Sequence, residues 1–86
     1  MDKRIRAEAY TQAILDQLNA EIGASDYTIK SLALALDHDY NTYRRWANGE
    51  RPMPMVVLWA SIDQLGIPQL VFAQRAQDRF ESSAGD

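Results

Sequence analysis

The sequence predicts an all-α domain of five helices, and three observations carry that reading. Apolar residues recur at three- and four-residue spacings along most of the chain, the period of a helix face and not of a strand. Helix-starting residues (Thr28, Asp39, Pro54, Pro68) and helix-stopping glycines (Gly23, Gly49, Gly66) punctuate that pattern. No Val/Ile/Thr-rich alternating stretch bounded by hairpin turns occurs. The 86 residues are 47% hydrophobic and 9% aromatic, with four Gly and three Pro. That suits one small core and excludes a wholly disordered or collagen-like chain.

The first helix is expected from about Lys3 to Ile22, with Ala7, Tyr10, Ile14, Leu15 and Leu18 on one face and Gly23 as its stop. Thr28 is the expected N-cap of a short second helix, Ile29 to Leu36, that buries Leu32, Ala33 and Leu36. Asp37-His38-Asp39 leaves room only for a tight turn. Asp39 caps a third helix, Tyr40 to about Asn48, closed by Gly49. Pro52 and Pro54 prevent simple continuation, and Pro54 suits the first turn of a fourth helix to about Leu65. Its inward residues are expected to be Met55, Leu58, Trp59, Ile62 and Leu65, with Gly66 as the stop. Pro68 opens a fifth helix to about Phe80, with Leu70, Phe72, Ala73, Ala76 and Phe80 as apolar positions. Residues 1–80 form a single domain on this reading, and 81–86 a flexible tail.

The absence of Cys excludes disulfide scaffolds, zinc fingers, iron–sulfur clusters and thiol catalysis, and a lone His38 excludes a multi-histidine metal site. No metal, cofactor or catalytic set is expected. The opening MDKRIRAEAY lacks an apolar stretch behind its charges, so no signal peptide is expected. The apolar run from Pro52 to Ala60 is far short of the roughly 20 residues of a membrane span. A soluble, cytoplasmic protein is the expectation.

The net charge of −3 is unevenly distributed. Residues 1–6 carry Lys3, Arg4 and Arg6 against Asp2, whereas residues 7–39 set Lys30 against six acids. Residues 40–51 are again basic, with Arg44, Arg45 and Arg51 against Glu50. An acidic whole argues against binding nucleic acid by bulk charge, while two basic segments leave room for a local footprint on phosphate.

On a wheel of about 100° per residue starting at Tyr40, Arg44, Asn48, Asn41 and Arg45 fall at about 40°, 80°, 100° and 140°. Tyr43 and Trp46 fall opposite, at about 300° and 240°. The third helix thus anchors itself with two aromatics and presents groups that can read base edges: Arg bidentate to guanine, Asn to adenine. A solvated polar face is the plain alternative. Two short helices joined by a tight turn, the geometry that sets a helix in the major groove, favour the reading role.

The segment TIKSLALALDHDYNTYRRWANG, residues 28–49, resembles the phage-repressor (Cro/repressor, XRE-type) helix-turn-helix without a gap. Thr28 matches the cap, Leu32-Ala33 the second helix, Leu36 the following apolar position, Asp39 the next cap, and Trp46 and Gly49 the aromatic and terminal glycine. The likeness continues through the Pro-containing connector after Arg51 to Leu65-Gly66-Ile67, covering about residues 5–68. Ile29 replaces the family's phosphate-binding Gln, Asp37 its turn Gly, His38 an aliphatic spacer and Ala47 a Glu.

The resemblance implies a lambda-repressor-like fold and a sequence-specific regulator of transcription, a phage- or prophage-type repressor, bound to a double-stranded DNA operator. Carried over by position, it implies base contacts from Tyr40, Asn41, Arg44 and Arg45. Phosphate contacts fall to Asn48, Thr42 and Arg51, with Lys30 or the Thr28 backbone standing in where the Gln is lost. Lys3, Arg4 and Arg6 could reach the flanking backbone. A homodimer through residues 68–80 would double the contacts. No membrane and no small-molecule ligand are expected, and no enzyme: Asp37 and Asp39 serve the turn and the cap. The rival reading is a protein-interaction module or an antitoxin-like partner, favoured by the acidic first half and by Leu70-Val71-Phe72.

Overall fold

The computed structural model describes residues 2–84, which form five helices and no strand: α1 (Lys3–Ala24), α2 (Ile29–Ala35), α3 (Tyr40–Ala47), α4 (Met55–Gln64) and α5 (Gln69–Ala84). Local chemistry accounts for most boundaries. Asp2 accepts a hydrogen bond from the Arg4 N–H and caps α1. Thr28 and Ser31 form a reciprocal capping box on α2, and the Asp39 carboxylate accepts from the Thr42 N–H at the start of α3.

Three helices end in one way. The chain turns left-handed at Asp37 (φ 60°), Gly49 (φ 79°) and Gly66 (φ 76°). In each case the next residue donates its N–H back across the last turn: His38 to Ala33, Glu50 to Arg45 and Ile67 to Ile62, at 2.8–3.1 Å. Asp37 therefore fills the conformation in which glycine is usual, at a cost an Asp side chain tolerates better than most. Gly23, by contrast, does not stop α1. Its φ is not positive, and the helix runs on to Ala24. Ser25 ends it instead, donating both its N–H and its hydroxyl to the Ile22 carbonyl.

At the other end of the chain, α5 continues past Phe80, so residues 81–84 of the expected tail are helical, and 85–86 lie outside the described residues. No Gly or Pro interrupts Glu81 to Ala84, and Gln77 donates to Glu81 one turn on, at 2.9 Å.

The core takes residues from every helix: Leu18 and Ile22, Leu32 and Ala33, Tyr43 and Ala47, Val57, Leu58 and Ile62, Phe72 and Ala76. The expected facing is overturned at Ala7, Met55, Leu70 and Ala73, which are exposed, and Leu36, Trp59 and Leu65 are only half-buried. Met55 is 65% exposed, and α4 instead buries Val57, Leu58, Ser61 and Ile62. Leu70 is 85% exposed, while Phe72, Ala76 and Phe80 are buried at one-turn intervals. That stripe closes the molecule against α1, so those three residues are not available as the seam of a dimer.

Ser61 is the one polar side chain at the centre. Its hydroxyl donates to the Val57 carbonyl at 2.7 Å, which leaves the Tyr43 hydroxyl to donate to Ser61 Oγ at 2.6 Å. No single described helix is long and apolar enough to cross a membrane.

Candidate nucleic-acid interface

Three anchors hold α3. Tyr43 is fully buried and tied to α4 through Ser61. Trp46 is half-buried, packed edge-on to the His38 ring at 5.2 Å between centroids and close to Tyr43 at 6.4 Å. Ala47 is buried, and its carbonyl accepts from Asn19 Nδ2 of α1 at 3.0 Å. His38, in the place of an aliphatic spacer, is half-buried against Trp46, and Trp46 is less buried than an inward position on the wheel implies.

Opposite these anchors, Asn41, Arg45 and Asn48 are exposed, Tyr40 is 40% exposed, and Arg44 is half-buried. The four expected base readers and Asn48 therefore share the solvent side of one short helix. No acid lies within α3, and among the described residues Arg44, Arg45 and Arg51 make no ion pair or side-chain hydrogen bond. Arg44 and Arg45 sit in the last turn, where the helix dipole favours cations, a role in stability that needs no ligand.

The other candidates divide. Lys30 is exposed on α2 without a partner among the described residues, and Arg51 is exposed on the connector. Thr28 is partly occupied: its hydroxyl accepts from the Ser31 N–H at 3.1 Å and its own N–H donates to Ser31 Oγ at 2.8 Å. The Thr28 N–H is thereby taken, while its hydroxyl keeps its own hydrogen, in a long 3.3 Å contact to Ser31 Oγ, to turn toward a phosphate. Thr42 Oγ1 makes a long contact of 3.4 Å to Asp39, so its hydroxyl can turn outward at little cost. Of the N-terminal cations, Arg4 pairs with Glu8 at 3.5 Å and Arg6 lies 5.0 Å from the Phe80 ring centre. Arg6 thus leans on α5, while the exposed Arg4–Glu8 pair leaves the Arg4 guanidinium in solvent.

Asn19 escaped sequence reasoning. It holds the C-terminal end of α3 to α1 across 28 residues of chain, also donating to the Leu15 carbonyl at 2.9 Å. Nothing local marks it, because an Asn on the outer side of a long helix reads as solvated. Ala47, which stands where the resembled family has a Glu, is where α1 approaches α3. No cluster of three His, Cys, Asp or Glu that could hold a metal occurs among the described residues. The chain matches no protein-family model, no curated protein and no solved structure.

Proposed function

We propose that the protein is a sequence-specific double-stranded DNA-binding regulator of the phage-repressor helix-turn-helix type, reading the major groove with α3. The observation that carries this reading is the outer face of α3. Tyr40, Asn41, Arg44 and Arg45 lie together on a helix fixed from behind by Tyr43, with Asn48 at its C-cap, no acid on the helix and, among the described residues, no ion pair to the arginines. Free arginines on a rigid helix keep their donors for base edges and phosphates. In this reading Tyr40, Asn41, Arg44 and Arg45 meet bases, and Asn48, Thr42, Lys30 and Arg51 meet the backbone.

The Arg6 contact with Phe80 leaves Lys3 and Arg4 as the N-terminal cations most readily offered to flanking DNA, since the exposed Arg4–Glu8 pair opens at little cost. A dimer on DNA would have to use the exposed Leu70, Val71 and Ala73 at the start of α5.

The exposed Leu70 and Val71 favour a second reading, an interaction module that retains the helix pair to hold another protein. Selection of duplexes from a random library by the purified protein separates the two. A consensus whose binding weakens steeply with salt supports the DNA reading. Absence of any enriched sequence, with no shift of duplex DNA at low salt, supports the interaction module.

A further inference from the structure

A groove runs behind the connector, where α1, the 49–53 segment and the start of α4 meet. It has a volume of about 380 Å³, within the range of small-molecule sites. Its walls are Ile14, Leu15, Pro52, Met53, Met55 and Leu58. A second hollow of about 220 Å³ shares Ile14, Met55 and Leu58 with it and extends the apolar surface toward Trp59 and Ala73. Both are chiefly apolar, and two of the wall residues are methionines, whose unbranched side chains re-pack around varied shapes.

One end is different. Among the described residues Arg51 is the only charged one lining either hollow, Thr11 also lines the first, and no acid lines them. Arg51 pairs with no carboxylate among the described residues. Met55 begins α4, whose N-cap Pro54 supplies no side-chain acceptor, so the partial positive charge of that helix end also goes uncompensated by a cap.

We propose that this groove binds an amphipathic organic anion, an aliphatic chain lying along Ile14, Met55 and Leu58 with its carboxylate on Arg51. The walls suit the chain by burial of methylene groups. The guanidinium suits a carboxylate by paired charge-assisted hydrogen bonds. A neutral apolar ligand would leave Arg51 unused, and a cationic one would be repelled. The groove is built from helices that already pack in the fold. Arg51 also meets the DNA backbone in the reading above, so ligand and DNA would share it, and the groove is tested on the protein without DNA.

The test is calorimetric titration of the purified full chain with decanoate, below its micelle concentration, and with decyltrimethylammonium, which has the same chain and the opposite charge. Decanoate should bind saturably at one per chain, and about tenfold or more tighter than the cation, the factor expected of one hydrogen bond to a charged group. Arg51→Glu, at an exposed and unpaired position, should reverse that preference while leaving the circular dichroism unchanged. Met55→Glu should weaken decanoate through a carboxylate placed in the groove. Amide shifts on decanoate binding should centre on Leu15, Met53 and Leu58. No saturable binding, equal affinity for both amphiphiles, a preference unchanged in Arg51→Glu, or shifts centred elsewhere would each overturn the proposal.

Discussion

The α1–α5 pair and the α2–α3 pair use their polar groups in opposite ways. Along α1 and α5 the long polar side chains are matched to one another. Arg75 meets Glu21 at 2.7 Å, Arg79 donates to Gln17 at 3.0 Å, and Tyr10 packs on Phe80 with Arg6 over the same ring. In α2 and α3 the short polar groups, Thr28, Ser31 and Asp39, are matched within the caps, while the long ones, Lys30, Arg44 and Arg45, are left without partners among the described residues. The difference separates charges that hold the fold from charges that the fold holds out. It also explains how an acidic chain can offer a basic face: among the described residues the acids of α1 and α5 are met by Arg4, Arg75 and glutamines of those two helices, and none reaches the arginines of α3.

The largest effect should come from the buried stripe that joins the first pair. Phe72→Ala removes a fully buried ring and should destabilise the domain by about 3–5 kcal/mol in denaturant unfolding, enough to unfold much of so small a chain. Leu70→Ala, two residues away and outward, should leave stability nearly unchanged. Equal losses would mean that α5 faces inward differently from the description above.

Next in size is Arg44→Ala. It should cost about 1–3 kcal/mol of affinity for the selected duplex and relax preference at one base position, with the midpoint of unfolding almost unmoved. A uniform loss over all sequences would reassign Arg44 to phosphate.

Tyr43→Phe sharpens the comparison from beneath α3. It deletes the buried hydroxyl that donates to Ser61, while Ser61 keeps its bond to the Val57 carbonyl. The expected cost is about 1 kcal/mol. Burial raises the Tyr43 phenol above its ordinary pKa of 10.0, an effect only partly opposed by the Ser61 hydrogen bond. The folded state therefore holds its proton where the unfolded chain has begun to lose it. The contribution of Tyr43 is complete below about pH 10 and declines as pH rises through the folded-state value. Alkaline unfolding scans should show a shallower decline for Tyr43→Phe than for the wild type.

The smallest effect belongs to the ion pair of the first region. Arg75 is half-exposed, so Arg75→Gln should cost less than about 1 kcal/mol, and less still at high salt.

Much of this was legible in the amino-acid order because caps and stops act over three or four residues. Thr28, Asp39, Gly49 and Gly66 each do locally what their types suggest. The tight turn was legible too, with Asp37 taking the left-handed place of a glycine. Facing was less so. Periodicity shows that α4 and α5 have apolar stripes, but Met55 and Leu70 are as apolar as their buried neighbours. Only the packing of the neighbouring helices, α1 on α5 and α2, α3 and α5 on α4, decides which residues are covered. The candidate reading face was legible as a wheel, since Tyr43 leaves little freedom in how α3 is turned. The groove behind the connector was not, because its walls come from segments some forty residues apart in the chain.

The most direct test of the division between the two regions is a pair of double variants on one selected duplex and on a scrambled control. Arg44→Ala with Arg45→Ala should abolish discrimination between the two duplexes while the protein unfolds at nearly the wild-type midpoint. Arg75→Ala with Arg79→Ala should lower that midpoint modestly and keep the discrimination. Loss of discrimination in the α5 pair, or its survival in the α3 pair, would contradict the assignment of DNA reading to α3.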